Sequence, residues 1–306
     1  MDKLIVILGP TAVGKTAVSL RIAEYLDLPI INADSRQIYS EIPIGTAAPT
    51  PSELQRVRHY FVGTLHLSEY YSASKYENDV IHLLRDDDYF VQSKYALLSG
   101  GSMMYIDAVC DGIDDIPTIH EDVRALMKDR LEAEGLERLV EELRILDPAY
   151  YSIVDRRNTR RVVHALEICH QTGRTYTSFR ARKKASRWFD IVKIGLVRDR
   201  TELYDRINAR VLRMVDEGFV EEALRVYPYR AENSLNTVGY KELFEYLDGL
   251  CTLDNAITRI QGNTRKYCRK QLTWFKRDPS VRWHHPDNIT GIIRELEESG
   301  IRKADE

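Results

Sequence analysis

The sequence predicts an α/β protein, a parallel sheet flanked by helices with a helical insertion. Three observations predict it. Short apolar runs alternate with helix-length amphipathic stretches through the opening part of the chain. The first of these runs is joined to its helix by a glycine-bracketed loop. From about residue 120 to 188 the periodicity turns helical with no convincing strand, and then an alternating apolar run returns. Strands that alternate with helices pair in parallel and carry the helices on both faces.

Taken in order, Leu4-Ile-Val-Ile-Leu8 reads as the first strand. The next eight residues, Gly9, Pro10, Thr11, Ala12, Val13, Gly14, Lys15 and Thr16, fit G-x-x-x-x-G-K-[ST] at every fixed position. A helix-like stretch from Ala17 to Leu26 follows, so the motif has the strand–loop–helix setting of a P-loop NTPase-like core. Backbone amides of such a loop, with the positive end of its helix, converge on phosphate oxygens. Lys15 adds a point charge, and the Thr16 hydroxyl can hold a magnesium ion. The loop therefore grips a polyphosphate or pyrophosphate, and by itself does not say which.

Pro29-Ile-Ile-Asn32 is the second strand candidate and ends at Ala33-Asp34-Ser35. Residues 72–91 read as a long amphipathic helix. Tyr95-Ala-Leu-Leu98 is a buried strand candidate running into Ser99-Gly-Gly101, and residues 103–110 look helical. Ligands of such sheets gather at the carboxyl ends of strands, so residues 9–16, 34–37 and 100–102 should converge. In the insertion, Val123, Leu126, Met127 and Leu131 repeat at helical spacing, and Pro148 and Gly173 punctuate it. Residues 190–197 then supply another strand, 202–217 and 253–275 long helices, 280–283 a short strand, and residues from 289 a terminal helix. The expected organisation is a core of residues 1–119 and 189–306 carrying the catalytic site, with an insertion domain at 120–188.

The chain has 306 residues, 43% hydrophobic and 30% charged, as an ordinary globular protein does. No stretch approaches the ~18 apolar residues of a membrane span, so no membrane partner is expected. The N-terminal apolar run is too short for a signal peptide and leads straight into the phosphate loop. The four cysteines form no C-x-x-C pair, which argues against zinc and suggests reduced thiols in the cytoplasm. Net charge is −3, which alone argues against a nucleic-acid partner. The charge is segregated, however. Arg156 to Arg187 contains ten basic residues and one acid, Glu167, and Arg265 to Arg277 contains six basic residues and no acid. Such runs are either solvated helix faces or surfaces for a phosphate backbone.

Asp34 sits beside the expected phosphate site. It is either a turn or helix cap, or a carboxylate that orients an amino group and accepts its proton. Magnesium-dependent NTPases place an acid at the end of an apolar strand. Here Ala96-Leu-Leu98 ends in Ser-Gly-Gly-Ser102 without one, which disfavours ATP hydrolysis; Gly-Gly there permits close approach of backbone to a ligand. Arg206 and Arg210 are four apart on a helix and share a face. They form either surface ion pairs or a bidentate grip on a departing diphosphate. Between Thr264 and Arg277, basic residues interleave with Tyr267, Trp274 and Phe275, either as a wet basic face over a core stripe or as a surface that tracks phosphates and stacks bases.

In this order and spacing the motifs resemble the tRNA dimethylallyltransferases, also called tRNA isopentenyltransferases or the IPP transferase family, over nearly the whole chain. The resemblance rests on Gly9 to Thr16, Asp34-Ser-Arg-Gln-Ile-Tyr39, Ile44-Gly-Thr-Ala-Ala-Pro49, Tyr71-Ser-Ala-Ser74, Ser99-Gly-Gly-Ser102 with Tyr105, and Asp147-Pro148. It continues through Arg161-Val-Val-His-Ala-Leu-Glu167, Thr172-Gly173, Arg206-Ile-x-x-Arg210 with Met214, Gly218 and Glu221-Glu222, Val238-Gly-Tyr-Lys-Glu242, and Thr264 to Arg277. It implies transfer of a dimethylallyl group from dimethylallyl diphosphate to the exocyclic amine of the adenine just 3′ of the tRNA anticodon. The adenine would be taken out of its stack, as in base flipping.

By position, the resemblance makes Asp34 the base that binds the amine. Arg210 and Thr16 act on the diphosphate, Thr16 through Mg2+, and Gly9 to Thr16 hold the leaving pyrophosphate. Contacts to the tRNA anticodon stem-loop would come from Asp34, Ser35, Arg36, Gln37, Ser102, Arg160, Arg161, His164, Val238, Gly239, Tyr240, Lys241, Arg269, Lys270, Gln271, Trp274 and Arg277. A cytoplasmic monomer is expected, with the insertion clasping the anticodon stem. The chain departs from the family pattern at Ser102 (usually threonine), His164 and Lys270 (commonly arginine) and Ala48 (commonly lysine). Two other enzymes share the loop and sheet, a free-nucleotide (AMP, ADP or ATP) isopentenyltransferase and a P-loop small-molecule kinase. The basic segments weigh against the first and the missing acid against the second. A non-catalytic RNA-binding protein is the third class.

Overall fold

Strand β1 (Lys3–Leu8) is buried on both faces, which is why it reads as an unbroken apolar run and not as alternation. Its side chains divide by the two-residue period of a strand. Ile5 and Ile7 enter one core cluster, and Leu4, Val6 and Leu8 enter another. In a computed structural model describing residues 2–86, 93–114, 116–180 and 185–303, β1 lies inside a six-stranded sheet. The other strands are β2 (Ile30–Ala33), β3 (His59–Tyr60), β4 (Tyr95–Gly100), β5 (Asp190–Leu196) and β6 (Arg282–His284), in the order β3-β2-β4-β1-β5-β6 with all pairings parallel. The register pairs Leu8 with Gly100 and Ala33 with Gly100. The carboxyl ends of β1, β4 and β2 are therefore level, and the loops after them meet.

On one face the sheet packs against α1 (Lys15–Leu26) through Val18, Leu20 and Ile22. The helices that follow the insertion, α6 (Arg200–Asp216), α9 (Leu253–Phe275) and α10 (Ile289–Glu298), add Leu203, Ile207, Cys268, Ile292 and Leu296. On the other face lie α2 (Ala73–Asp86) and α3 (Met103–Asp111), with Tyr76, Val80, Leu84, Ile106 and Val109. Each fully buried aliphatic chain here is worth roughly 1.5–3 kcal/mol of transfer free energy. The helix expected over 72–91 is described to Asp86, and its last five residues lie outside the described ones. The two-residue strand β3 and the helices α7 (Phe219–Val226) and α8 (Tyr240–Leu247) were not anticipated. The two helices, with Ile260 of α9, build a third cluster around Phe219, Tyr240 and Phe244.

The chain divides into two compact units, Met1–Asp111 with Ser186–Glu306, and Gly112–Ala185. The smaller unit begins eight residues before the expected limit of 120 and ends three before that of 188. Within it α4 (Glu121–Leu146) and α5 (Thr159–Thr172) pack around Met127, Leu139, Leu143, Val162 and Leu166. Gly135 breaks α4 with φ 81° and ψ 165°, a conformation that side chains with a Cβ rarely take. The Asn158 side chain caps the start of α5, and Gly173, at φ 66°, ends it.

Candidate active site

A cavity of ≈ 900 Å³ opens where the strand ends meet. Its lining includes Thr11, Ala12, Gly14, Lys15 and Thr16 from the phosphate loop, Asp34 to Gln37 from the β2 end, and Ser99 to Ser102 from the β4 end. The three loops expected to converge do so. Helix α6 adds Arg206 and Arg210, and α9 adds a stripe of Ile260, Asn263, Thr264, Tyr267 and Gln271. That stripe follows the i, i+3, i+4 spacing of one helix face.

The loop turns into α1 through Gly14, at φ 111° and ψ 22°, which favours glycine there. The Lys15 ammonium donates to the carbonyls of Gly9 (3.0 Å) and Pro10 (2.8 Å). Burial lowers its pKa to about 8; Asp34 opposes this and Arg210 adds to it. Burial also lowers the Arg210 pKa from the usual arginine value, again against the pull of Asp34. Arg210 donates to the Thr11 hydroxyl (3.4 Å) and the Thr46 carbonyl (3.3 Å), and Arg206 donates to the Ala12 carbonyl (2.9 Å). Lys15 and Arg210 thus flank Asp34, and the cavity lining as a whole carries more basic residues (also Arg36, Arg206, Arg213 and Lys241) than carboxylates (also Glu53 and Glu242), an arrangement that attracts a multiply charged anion.

Asp34 is a turn residue and a cavity residue at once. Its Oδ1 accepts from the amides of Arg36 (3.0 Å) and Gln37 (3.4 Å). Among the described residues no hydrogen bond engages its Oδ2. Ser35, Arg36 and Gln37 are half-buried on the same wall. Where an NTPase would carry an acid, the Ser99 hydroxyl is buried and accepts from Ser19 (2.7 Å). The two glycines after it serve packing first. A Cβ on Gly100 would lie 2.1 Å from the Ala33 carbonyl oxygen, and one on Gly101 2.7 Å from Gln271 Nε2.

Several residues expected to meet tRNA have partners within the chain, Tyr240, Gln271 and Ser102 buried and Trp274 half-buried. Tyr240 is fully buried, its hydroxyl donating to Glu222 (2.6 Å). Gln271 is 2% exposed, with both ends of its amide in use: Oε1 accepts from the Thr11 amide (2.9 Å) and Nε2 donates to the Gly101 carbonyl (2.8 Å). Trp274 donates Nε1–H to Asp107 (2.8 Å), and the Arg277 guanidinium lies 3.7 Å from its ring centroid, covering one face. Ser102 is buried and holds Ser35, accepting from its amide (2.8 Å) and donating to its hydroxyl (3.1 Å). The polar groups of these four side chains are thus engaged within the chain, while Ser102 and Gln271 also line the cavity.

The remaining candidates, the buried Gly239 apart, are exposed or half-buried. Val238, Gly239 and Lys241 line the cavity, and Lys241 is exposed. Arg269, Lys270 and Arg277 are exposed along the end of α9, Arg269 donating to the Tyr204 hydroxyl (3.0 Å). In the smaller unit Arg160 and Arg161 are exposed on α5, and His164 pairs with Glu167 (3.3 Å). Tyr267, raised above only as one of three interleaved aromatics, was not among the expected site residues. Its ring is 37% exposed at the cavity, and burial pushes its phenol up to about 12, with Asp34 as the next cause. The helical stripe through Asn263, Thr264, Tyr267 and Gln271 was the signal that could have found it.

Among the described residues no helix is long and apolar enough to cross a membrane, and no group of three or more His, Cys, Asp or Glu side chains could hold a metal. Thr16 is exposed to the cavity at the start of α1. It offers one oxygen, which suits magnesium carried by phosphates and water better than an all-protein cage.

A family model described as IPP transferase matches residues 37–278. A tRNA dimethylallyltransferase 1 of Bacteroides fragilis is 58% identical over 296 residues, spanning 97% of this chain and 98% of its own. A solved structure of a full-length tRNA isopentenylpyrophosphate transferase from Bacillus halodurans is 33% identical. It covers 98% of both chains with a TM-score of 0.69. The structure of a eukaryotic dimethylallyltransferase acting on tRNA is 23% identical and shares the fold, with a TM-score of 0.81 over 100% of this chain and 82% of its own.

Proposed function

The chain belongs to the IPP transferase family, and from that premise we propose that it is a tRNA dimethylallyltransferase. It transfers the dimethylallyl group of dimethylallyl diphosphate to the exocyclic amine of the adenine 3′-adjacent to the anticodon and releases diphosphate. The observation that carries this reading is a single cavity that presents the phosphate loop, Lys15, Arg210 and the carboxylate of Asp34 together.

The chemistry follows from those residues. Lys15, Arg210 and the amides from Gly9 to Thr16 bind the diphosphate and stabilise the charge that grows on it as the allylic C–O bond breaks. The apolar wall of Ile207, Val211, Met214, Phe219 and Ile260 suits the five-carbon group. Asp34 Oδ2 orients the amine and takes its proton as the N–C bond forms. A weakly nucleophilic aromatic amine gains most from being held in line with the departing group. Magnesium, bound with the diphosphate and the Thr16 hydroxyl, would supply further charge neutralisation there.

Ser35, Arg36, Gln37, Val238, Gly239, Lys241, Arg269, Lys270 and Arg277 are proposed to contact the anticodon stem-loop. So are Arg160, Arg161 and His164 of the insertion. The protein is read as a cytoplasmic monomer. The test is transfer of labelled dimethylallyl to unmodified tRNA against AMP, with nucleosides of the product identified by mass spectrometry. Prenylated adenosine beside the anticodon is expected, and reaction with AMP alone refutes the reading. Asp34→Ala should bind tRNA normally and lose about 10²- to 10⁴-fold in turnover.

A further inference from the structure

Three sequence motifs supply no group to the bond-making and bond-breaking steps, although Val238, Gly239 and Lys241 are read as tRNA contacts: Ile44-Gly-Thr-Ala-Ala-Pro49, Glu221-Glu222 and Val238-Gly-Tyr-Lys-Glu242. In the fold they meet at one buried carboxylate. Glu222 is 0% exposed. Its Oε2 accepts from the Ile44 amide (2.8 Å), and its Oε1 accepts from the Gly45 amide (2.7 Å) and the Tyr240 hydroxyl (2.6 Å). The helical turn Pro43–Thr46 is thereby tied by its amino end. Gly45 fits so closely that a Cβ there would stand 2.3 Å from both Phe219 Cε2 and the Tyr240 hydroxyl. The other end of the turn faces the cavity. The Thr46 carbonyl accepts from Arg210 (3.3 Å) and from Gln37 Nε2 (3.1 Å), and the Ala47 carbonyl accepts from Gln37 Nε2 (2.9 Å).

We propose that Glu222 is a positioning residue for the transfer: it locks the Pro43–Thr46 turn so that the Thr46 carbonyl holds Arg210 where the diphosphate leaves and Gln37 on the same wall. The argument is one of cost and geometry. Burying an ionised carboxylate is expensive unless every contact is made, and all three donors to this one lie on the turn or on the tyrosine behind it. An apolar residue could fill the volume, but it could not accept from two adjacent amides. The precision of Arg210 therefore depends on a residue remote from the substrate.

This rests on the transfer reading, and the test separates the two. Steady-state transfer is measured for the wild type, Glu222→Gln, Arg210→Ala and the double variant, with thermal unfolding followed in parallel. An amide at 222 puts an N–H against a backbone N–H. KM for dimethylallyl diphosphate should rise about tenfold, with a further fall in kcat, while KM for tRNA moves less. In the Arg210→Ala background the same change should cost only about two- to threefold more, because its effect runs through that arginine. Unchanged KM, or losses that multiply in full, overturns the proposal. If Glu222→Gln does not fold, Tyr240→Phe decides. It should raise the same KM about threefold, and the rise should vanish without Arg210; an unchanged KM overturns the proposal. Absence of transfer by the wild type would instead sink the functional reading.

Discussion

Raising the pH from 7 to 9 should weaken the grip on dimethylallyl diphosphate about tenfold, through a single group. Lys15 sits at a pKa of about 8 because burial disfavours its charge, an effect that Arg210 reinforces and Asp34 opposes. Only the protonated ammonium attracts the diphosphate. Affinity is therefore fully present below that pKa and falls as pH rises through it. With a pKa of about 8 the protonated fraction drops from roughly nine-tenths at pH 7 to one-tenth at pH 9, which gives the factor of about ten. Neighbouring groups stay out of this window: burial pushes the Tyr267 phenol up to about 12 and the Cys268 thiol up to about 11. The assay is KM for dimethylallyl diphosphate at saturating tRNA across this range, repeated with Lys15→Arg. The guanidinium stays charged throughout, so the variant should bind more weakly overall and lose the inflection near 8. A wild-type KM that stays flat through pH 9, or the same inflection in Lys15→Arg, refutes the reasoning.

Three further outcomes follow from the same geometry. Arg210→Ala should raise KM for dimethylallyl diphosphate and lower kcat, together about 10²- to 10³-fold in kcat/KM, with tRNA affinity little changed by equilibrium binding; a collapse of tRNA affinity would make Arg210 a backbone contact. Gln271→Leu should strand the Thr11 amide and the Gly101 carbonyl, destabilising the protein by about 1–3 kcal/mol. That would appear as a lower Tm and as weaker protection by pyrophosphate, and an unchanged Tm would show that the clamp is not needed. Replacing Arg269 and Lys270 with alanine should weaken tRNA binding and reduce the slope of log affinity against log salt by up to about two; an unchanged slope would leave them as a solvated face.

How far the site could be read from the sequence depends on the range of the interactions that build it. The loop from Gly9 to Thr16 is local: its glycine-bracketed spacing, the apolar strand before it and the helix after it lie within one short segment. The convergence with Asp34 and Gly101 followed from sheet topology alone. For Tyr240, Gln271, Trp274 and Ser102, expected to contact tRNA, the structure shows a partner inside the chain that the sequence did not announce. A motif shows that a residue type is demanded at a position, but not whether the demand comes from a ligand or from a partner inside the chain. Gln271 reaches back to Thr11 and Gly101, and Tyr240 to Glu222. No local periodicity separates such a clamp from an exposed polar residue. The helices α7 and α8 were missed for a related reason, since each is eight residues long and owes its stability to the Phe219–Tyr240 cluster more than to its own propensity.

The same long-range bonds explain how a loop of small residues can act as a rigid electrostatic template. Thr11 and Ala12 are each fixed from outside the loop, by Gln271 and Arg206, and the Val13 carbonyl accepts from Arg198 (2.9 Å). Arg198 is in turn anchored to Asp287 (2.6 Å) and Glu202. Donors that must meet charge developing on a leaving group are most effective when nothing has to reorganise. Three successive residues of the phosphate loop are thus tied to α9, α6 and the segment after β5. Loosening a tie should therefore act on the transferring step as well as on the fold, so Gln271→Leu, besides its lower Tm, should transfer more slowly at temperatures where it remains folded.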